Sequence, residues 1–116
     1  MKQTPLLKTV KSALADLKAL DVKVLDVRGL TTITDYMVIC TGTSSRHVKS
    51  IADEVIEQSK AAGHRPLGIE GRDAGEWVLV DLADLVVHVM QTQARAFYQL
   101  EKLWDMREAG KARAAE

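Results

Sequence analysis

The fold of this chain is decided by one stretch, Gly75-Glu-Trp-Val-Leu-Val-Asp-Leu-Ala-Asp-Leu-Val-Val-His-Val-Met90, the most apolar run in the sequence. It is broken once, at residues 81–84, where two aspartates flank a Leu-Ala pair. Two strands of about six residues each, joined by a tight polar turn, fit that pattern. Because residues 85–87 are apolar in succession, we expect these strands to be covered on both faces and to lie centrally in a sheet.

The stretches on either side predict three helices and three further strands. Apolar residues recur every three or four positions in the helical stretches and cluster with β-branched residues in the strands. We expect a first helix from Thr4-Pro5 with its apolar spacing reaching Leu20, then strands at 21–27 and 36–41. A second helix is capped by Ser44 or Ser45 and ended by Gly63, and a third helix follows Met90. Between them we expect a short strand at 65–69, in which Pro66 indicates an edge position or a strand start.

The order α-β-β-α-β-β-β-α predicts an α/β fold with a five-stranded mixed sheet flanked by helices. Strands joined by short turns must be antiparallel, whereas a strand reached through a helix can be parallel. We expect residues 1–106 to form a single domain and residues 107–116 to be a frayed tail, because the tail lacks apolar periodicity.

Composition and charge narrow the class of protein. The 116 residues are 47% hydrophobic and 28% charged, which is typical of a folded globular chain. Lys and Arg number 16, as do Asp and Glu, so the formal net charge is zero, which argues against broad electrostatic capture of nucleic acid. The single Cys40 cannot form an internal disulfide. With no signal peptide and no apolar run long enough for a membrane span, we expect a cytoplasmic protein.

The strongest candidate for catalysis is the turn Gly42-Thr-Ser-Ser45, which separates a strand from a helix. Backbone N–H groups at such a turn can bind phosphate, as in nucleotidyltransferases. Those enzymes also need paired carboxylates on the next strand to hold metal ions, but Asp53 and Glu54 fall on the predicted helix. We therefore favour a helix cap at Ser44 or Ser45, with phosphate binding as the alternative.

Metal sites and reactive side chains receive little support from the sequence. Asp81 and Asp84 could bind a metal, but aspartate is also a common turn residue, and we favour the turn. The three histidines, His47, His64 and His88, lack a neighbouring Cys or His at ligand spacing. We predict no catalytic residue, no metal site and no cofactor.

Five aromatic residues are present, and their positions suggest a protein interface. Phe97 fits a core position on the third helix. Trp77 begins the central hairpin, and Tyr98 and Trp104 follow on the last helix. Amphipathic aromatics near the ends of elements often anchor protein interfaces, although core filling is the other explanation.

Several segments together resemble the Iojap family, the bacterial ribosomal silencing factors (RsfS). They follow the family's order over most of residues 22–104, which makes the resemblance more specific than any one motif. The matching segments are Asp35-Tyr-Met-Val-Ile-Cys-Thr-Gly-Thr-Ser-Ser-Arg-His-Val48, Glu70-Gly71, Trp77-Val-Leu-Val-Asp81, Asp84-Leu-Val-Val-His-Val-Met90 and Arg95-Ala-Phe-Tyr-Gln-Leu-Glu-Lys-Leu-Trp104.

The resemblance implies a non-catalytic protein that binds the large ribosomal subunit through ribosomal protein number fourteen. By blocking association with the small subunit, it would repress translation under nutrient limitation. The family fold is nucleotidyltransferase-like without the catalytic carboxylates, and the free protein is a homodimer in many members. An assembly factor for the large subunit and a nucleotide-binding enzyme remain the alternatives.

We expect the partner to contact a sheet face that carries Trp77, Leu82 and His88. The third helix would flank this face with Tyr98 and Trp104. We expect a different set of side chains to hold the sheet together: Val78, Val80, Val86 and Val87.

Overall fold

The computed structural model describes residues 5–29 and 34–98, without the side chains of residues 97 and 98. Its element order confirms the predicted α-β-β-α-β-β-β-α. The tail predicted at residues 107–116 lies outside the described residues. The elements are α1 (Pro5–Asp16), β1 (Leu20–Asp26), β2 (Tyr36–Gly42), α2 (Ser45–Ala61), β3 (Gly68–Glu70), β4 (Trp77–Asp81), β5 (Leu85–Gln91) and α3 (Thr92–Tyr98).

The five strands form one mixed sheet in the order β1-β2-β5-β4-β3. β5 lies in the middle, parallel to β2 and antiparallel to β4, as the apolar run of the central stretch predicted. β1 pairs antiparallel with β2, and β3 pairs antiparallel with β4. β3 is an edge strand, as one interpretation of Pro66 predicted, but it spans Gly68–Glu70, so the proline precedes the strand and does not lie within it.

One face of the sheet is covered by two helices. α2 packs against β2, β4 and β5, and α1 packs against α2. The cluster between these layers includes Leu7, Ile51 and Val87, each at most 2% exposed. Burying a side chain of this size contributes roughly 1.5–3 kcal/mol, so this layer is the main source of stability.

The opposite face of the sheet is partly covered by α3. Met90 and Ala94 join Leu25, Val27 and Ile39 in a second cluster on that side. Arg95 ties the helix to the sheet, because its Nη1 donates to the Thr41 hydroxyl at 2.9 Å and to the Asp21 carbonyl at 2.6 Å. α3 is therefore fixed over β2 and β5.

The ends of α2 follow the sequence prediction. The Ser44 hydroxyl accepts a hydrogen bond from the His47 backbone N–H at 3.1 Å, which makes Ser44 the N-cap. Beyond the last turn, Gly63 takes a φ of +91°, its N–H donates to the Lys60 carbonyl, and the His64 N–H donates to the Ser59 carbonyl. These paired bonds form a Schellman motif, with Gly63 at the left-handed position.

α1 is shorter than its apolar spacing predicted. Lys18 has a φ of +56°, and the Ala19 N–H donates to the Leu14 carbonyl at 2.9 Å. This is a second Schellman motif, built without glycine, and it ends the helix at Asp16. Leu20 is consequently the first residue of β1 and not the last apolar residue of α1.

β1 carries an irregularity near its start. Leu20 pairs with Thr41 and Lys23 pairs with Ile39, so β1 has one more residue than β2 between these two pairs. Asp21 lies within this bulge with a φ of +48°. A bulge bends its strand and increases the local twist.

Candidate partner-binding face

Alternation along β4 and β5 places six side chains on the sheet face opposite α1 and α2, including Met90, which lies beneath α3, and the charged Asp81. Val78 and Val80 belong to the helix-side cluster, so Trp77 and Leu79 point to the opposite face. Cross-strand pairing puts Leu79 beside His88. We call the set of Trp77, Leu79, Val86 and His88 the open face.

The residues of the open face differ in their exposure to solvent. Trp77, Leu79 and Val86 are each half-buried, whereas His88 is only 5% exposed. Trp77 also packs against the second cluster, whose members include Met90 beneath α3. The open face therefore continues into the region that α3 covers.

Trp77 and His88 form a hydrogen-bonded aromatic pair within this face. The indole Nε1–H donates to His88 Nδ1 at 3.0 Å, and the ring centroids lie 5.8 Å apart at an interplanar angle of 42°. Because Nδ1 accepts this bond, the neutral ring carries its proton on Nε2. Burial lowers the pKa of His88 from 6.5 to about 4, so the ring is neutral near pH 7.

Leu82 does not share a surface with Trp77, contrary to the sequence prediction. Its side chain is 5% exposed and belongs to the helix-side cluster with Val78 and Val80. Successive side chains of a strand point to opposite faces, and this alternation continues from β4 into the turn. Because Leu82 lies five positions after Trp77, an odd number, the two side chains point to opposite faces. The expectation of one exposed face carrying both residues is therefore wrong.

Val86 was predicted to hold the sheet together, but it is half-buried on the open face. It pairs directly with Asp81 of β4, on the side opposite α2. Leu79, which was not singled out from the sequence, lies on the open face beside His88. The period-two alternation starting from Trp77 is the signal that identifies it.

The helix candidates lie at the limit of the described structure. Tyr98 is the last residue of α3, and its side chain is not described. Trp104 lies outside the described residues. Their predicted contribution to the open face stays a prediction.

His47, in the first turn of α2, links the turn at Gly42–Ser45 to the end of α1. The Thr43 backbone N–H donates to His47 Nδ1 at 2.9 Å, while His47 Nε2 donates to the Leu17 carbonyl at 2.8 Å, just beyond the end of α1. With Ser44 capping α2, these bonds give the turn a structural role within the protein. The link made by His47 was not predicted, because the proximity of residue 17 is a property of the folded chain.

The loop between β4 and β5 confirms the turn interpretation of Asp81. The Ala83 N–H donates to Asp81 Oδ1 at 2.9 Å, and Ala83 has a φ of +71°. The Asp84 carbonyl accepts from the N–H groups of Asp35 and Tyr36. Both aspartates therefore take part in backbone connections at this end of the sheet.

Within residues 5–29 and 34–98, no three side chains of His, Cys, Asp or Glu lie together as a metal site would require. Cys40 is fully buried, and burial raises the pKa of its thiol to about 12. A thiol with such a pKa is protonated near pH 7 and is a poor nucleophile. In the same part of the chain, no helix has the length and apolar character needed to span a bilayer.

Comparisons with known proteins agree on one family. Residues 1–116 match the family model described as ribosomal silencing factor during starvation. The chain is 48% identical over 99 residues to the ribosomal silencing factor RsfS of Haemophilus influenzae, an alignment that covers 85% of this chain and 97% of that protein. The resemblance predicted from the motifs of residues 22–104 is therefore confirmed.

A solved structure and a eukaryotic relative extend this similarity. The crystal structure of a Chromobacterium violaceum protein aligns with a TM-score of 0.87 at 42% identity, covering 90% of this chain and 88% of that one. The mouse protein named mitochondrial assembly of ribosomal large subunit protein 1 is 37% identical over 99 residues, which is 83% of this chain and 43% of the mouse protein. The α/β fold is thus shared with members of the family.

Proposed function

The chain belongs to the ribosomal silencing factor family, and on that premise we propose that it binds the large ribosomal subunit through ribosomal protein number fourteen. Bound there, it blocks association with the small subunit and represses translation when nutrients are limiting. The action is steric, so it needs a rigid body and one adhesive face but no catalytic residue.

The observation that supports this proposal most directly is the open face. Its half-buried Trp77 presents an indole on the same sheet face as the apolar side chains of Leu79 and Val86. Tryptophan is among the residues that most often dominate binding energy at protein interfaces. Contact with a ribosomal protein also suits a chain of zero formal net charge, since such contact depends on shape and aromatic anchors more than on a basic surface.

The rest of the sheet gives this face its rigidity. β4 is hydrogen-bonded on both sides, to β3 and to β5. All seven residues of β2, which supports β5 from the far side, are buried. A face built on regular strands loses little conformational freedom on binding, which favours affinity.

The test is the affinity of a Trp77→Ala variant for purified large subunits, measured by sedimentation. We expect binding to weaken by one to several kcal/mol, or roughly fivefold or more, if the indole is an interface anchor. Leu67→Ala is the matched control, because Leu67 is an apolar residue that is 74% exposed and lies outside the open face. The same variants, added to a subunit-joining assay, should show the same order of inhibition.

Unchanged affinity of a Trp77→Ala protein with a native circular dichroism spectrum would refute this placement of the contact. Equal losses for Trp77→Ala and Leu67→Ala would indicate a contact spread over both regions and would also argue against a single anchoring face.

We also propose that the free protein is a homodimer and that the open face serves both the second copy and the ribosome. An apolar, half-buried tryptophan is the type of residue found at the centre of such interfaces. If one surface serves both partners, Trp77→Ala should weaken the dimer as well as ribosome binding. Analytical ultracentrifugation over a range of protein concentrations measures this, and a dimer of unchanged affinity would place its interface elsewhere.

Large-subunit assembly is the second candidate, favoured by the name of the mouse relative. Assembly and silencing use the same contact but act on different particles. An assembly factor should bind precursor subunits more tightly than mature ones, and its loss should cause precursors to accumulate during rapid growth. A silencing factor should bind mature subunits and act when growth stops.

A further inference from the structure

We propose that His88 is a positioning residue for partner binding: its Nδ1 holds the indole of Trp77 in the orientation in which that ring forms part of the open face. The inference rests on the proposed function, because it assigns a second residue of the same face a role in recognition. Its physical basis, however, lies in the free protein and can be measured there.

The two rings meet diagonally across the β4–β5 pair. Trp77 is directly opposite Met90, and His88 is directly opposite Leu79, so the hydrogen bond crosses from one cross-strand pair to the next. Diagonal neighbours on one sheet face lie within reach of aromatic side chains. The 3.0 Å bond from Nε1 to Nδ1 therefore fixes the direction of an indole whose two side-chain torsions would otherwise be less restricted.

His88 is suited to act as a fixed acceptor. It lies in the central strand between Leu79 of β4 and Ile39 of β2, and only 5% of it is exposed. Neighbouring strands on both sides limit the rotamers of its ring. The acceptor position is thus set by the sheet, and the position of the indole follows from it.

The chemical character of residue 88 also needs an explanation. Its cross-strand neighbours Leu79 and Ile39 are aliphatic, and β5 is otherwise apolar from Leu85 to Met90. An aliphatic residue would fill a buried position of this strand without the cost of burying a polar ring. The N–H of the half-buried Trp77 indole, in contrast, is stabilised by an acceptor, and the imidazole supplies one.

Two substitutions separate positioning from simple packing. His88→Asn retains an acceptor close to the place of Nδ1, since its Oδ1 is also attached to Cγ. His88→Leu keeps a side chain branched at Cγ but removes the acceptor. If His88 only fills space, both variants affect the protein through volume alone, and the presence of the acceptor makes no difference.

The first measurement is the indole N–H resonance of Trp77 in ¹H–¹⁵N spectra of the free protein, assigned with a Trp77→Phe variant. We expect His88→Leu to shift this resonance upfield and to speed its exchange with solvent, because the hydrogen bond is lost. His88→Asn should preserve most of the shift. Identical spectra for the two variants would overturn the positioning role.

The second measurement is affinity for purified large subunits. We expect His88→Leu to weaken binding about 3- to 10-fold and His88→Asn to stay within about 2-fold of the parent, which corresponds to the usual contribution of one hydrogen bond. Trp77→Phe removes the donor and keeps an aromatic ring, so it should resemble His88→Leu. In the Trp77→Phe background, His88→Leu should weaken binding no further.

The two measurements separate failure of this inference from failure of the proposed function. If Trp77→Ala weakens ribosome binding but His88→Leu and His88→Asn bind equally well, the positioning role is overturned and the open face stands. If the indole resonance responds as expected while neither Trp77→Ala nor His88→Leu changes ribosome binding, both the contact face and the role of His88 in recognition are overturned. Should His88→Leu fail to fold, Trp77→Phe and His88→Asn still decide the question.

Discussion

The neutral state of His88 gives the stability of this protein a pH dependence that can be calculated. Burial lowers the pKa of the folded-state imidazole from 6.5 to about 4. Between these values the unfolded chain binds a proton that the folded protein does not. The contribution of neutral His88 to the free energy of unfolding is therefore fully present above about pH 6.5. It decreases as the pH falls from about 6.5 to about 4, and it does not change further at lower pH.

The size of the effect follows from the shift. Each unit of pKa difference corresponds to about 1.4 kcal/mol, so the full change is about 3 kcal/mol. Between about pH 7 and pH 5, only part of the range is crossed, and the expected loss from His88 is about 2 kcal/mol. Asp53, whose pKa the Arg72 guanidinium holds below its usual value, loses its contribution at lower pH and does not interfere in this window.

Urea unfolding followed by circular dichroism at about pH 7 and pH 5 measures the effect. The control is His88→Asn, which has no titrating group at this position and should lack the additional loss of about 2 kcal/mol. Comparing the two proteins removes the contributions of all groups that both retain. If the parent and His88→Asn lose the same free energy of unfolding over this range, the buried, neutral state of His88 is refuted.

Three further predictions concern the scaffold. Ser44→Ala should reduce the free energy of unfolding by about 1 kcal/mol through loss of the N-cap. The control, Ser45→Ala, should change it by less than about 0.5 kcal/mol. Equal effects of the two substitutions in urea unfolding would contradict the cap assignment. Gly75→Ala should cost about 1–3 kcal/mol, because its φ is +69° and a Cβ would come within 2.9 Å of the Ser45 carbonyl oxygen. Gly63→Ala, with a φ of +91° and open space, should cost less, and the reverse order of melting temperatures would show that the close approach does not matter. Cys40 should resist iodoacetamide in the native protein and react in urea; rapid labelling without denaturant would show that the strand opens.

Much of the fold was predictable because its signals are local. The hydroxyl residues before α2 and the glycine after it marked both ends of that helix. The apolar run of residues 85–87 predicted a central strand, and β5 is the middle strand of the sheet. The end of α1 was missed, since Lys18 adopts the left-handed conformation that glycine more often occupies.

The candidate site was less predictable because it depends on the register of the strands and on which parts of the sheet the helices cover. Trp77 was identified by its residue type, and the structure places it half-buried on the sheet face opposite α2. Alternation alone excludes Leu82 from the face of Trp77, because the alternation of β4 continues into the turn. The bond between Trp77 and His88 requires knowing that Trp77 pairs with Met90, which one sequence does not reveal.

The bulge in β1 has a consequence for solubility. β1 is an edge of the sheet, and its Leu20 and Val22 are 45% and 42% exposed, so a regular strand here would invite pairing with an extended segment of another molecule. The bulge interrupts the even spacing that such pairing requires, and the Asp21 carbonyl within it is already bonded to Arg95. The bulge that presents the Asp21 carbonyl to Arg95 thus also makes this apolar edge a poorer template for the strand addition that leads to amyloid-like aggregation.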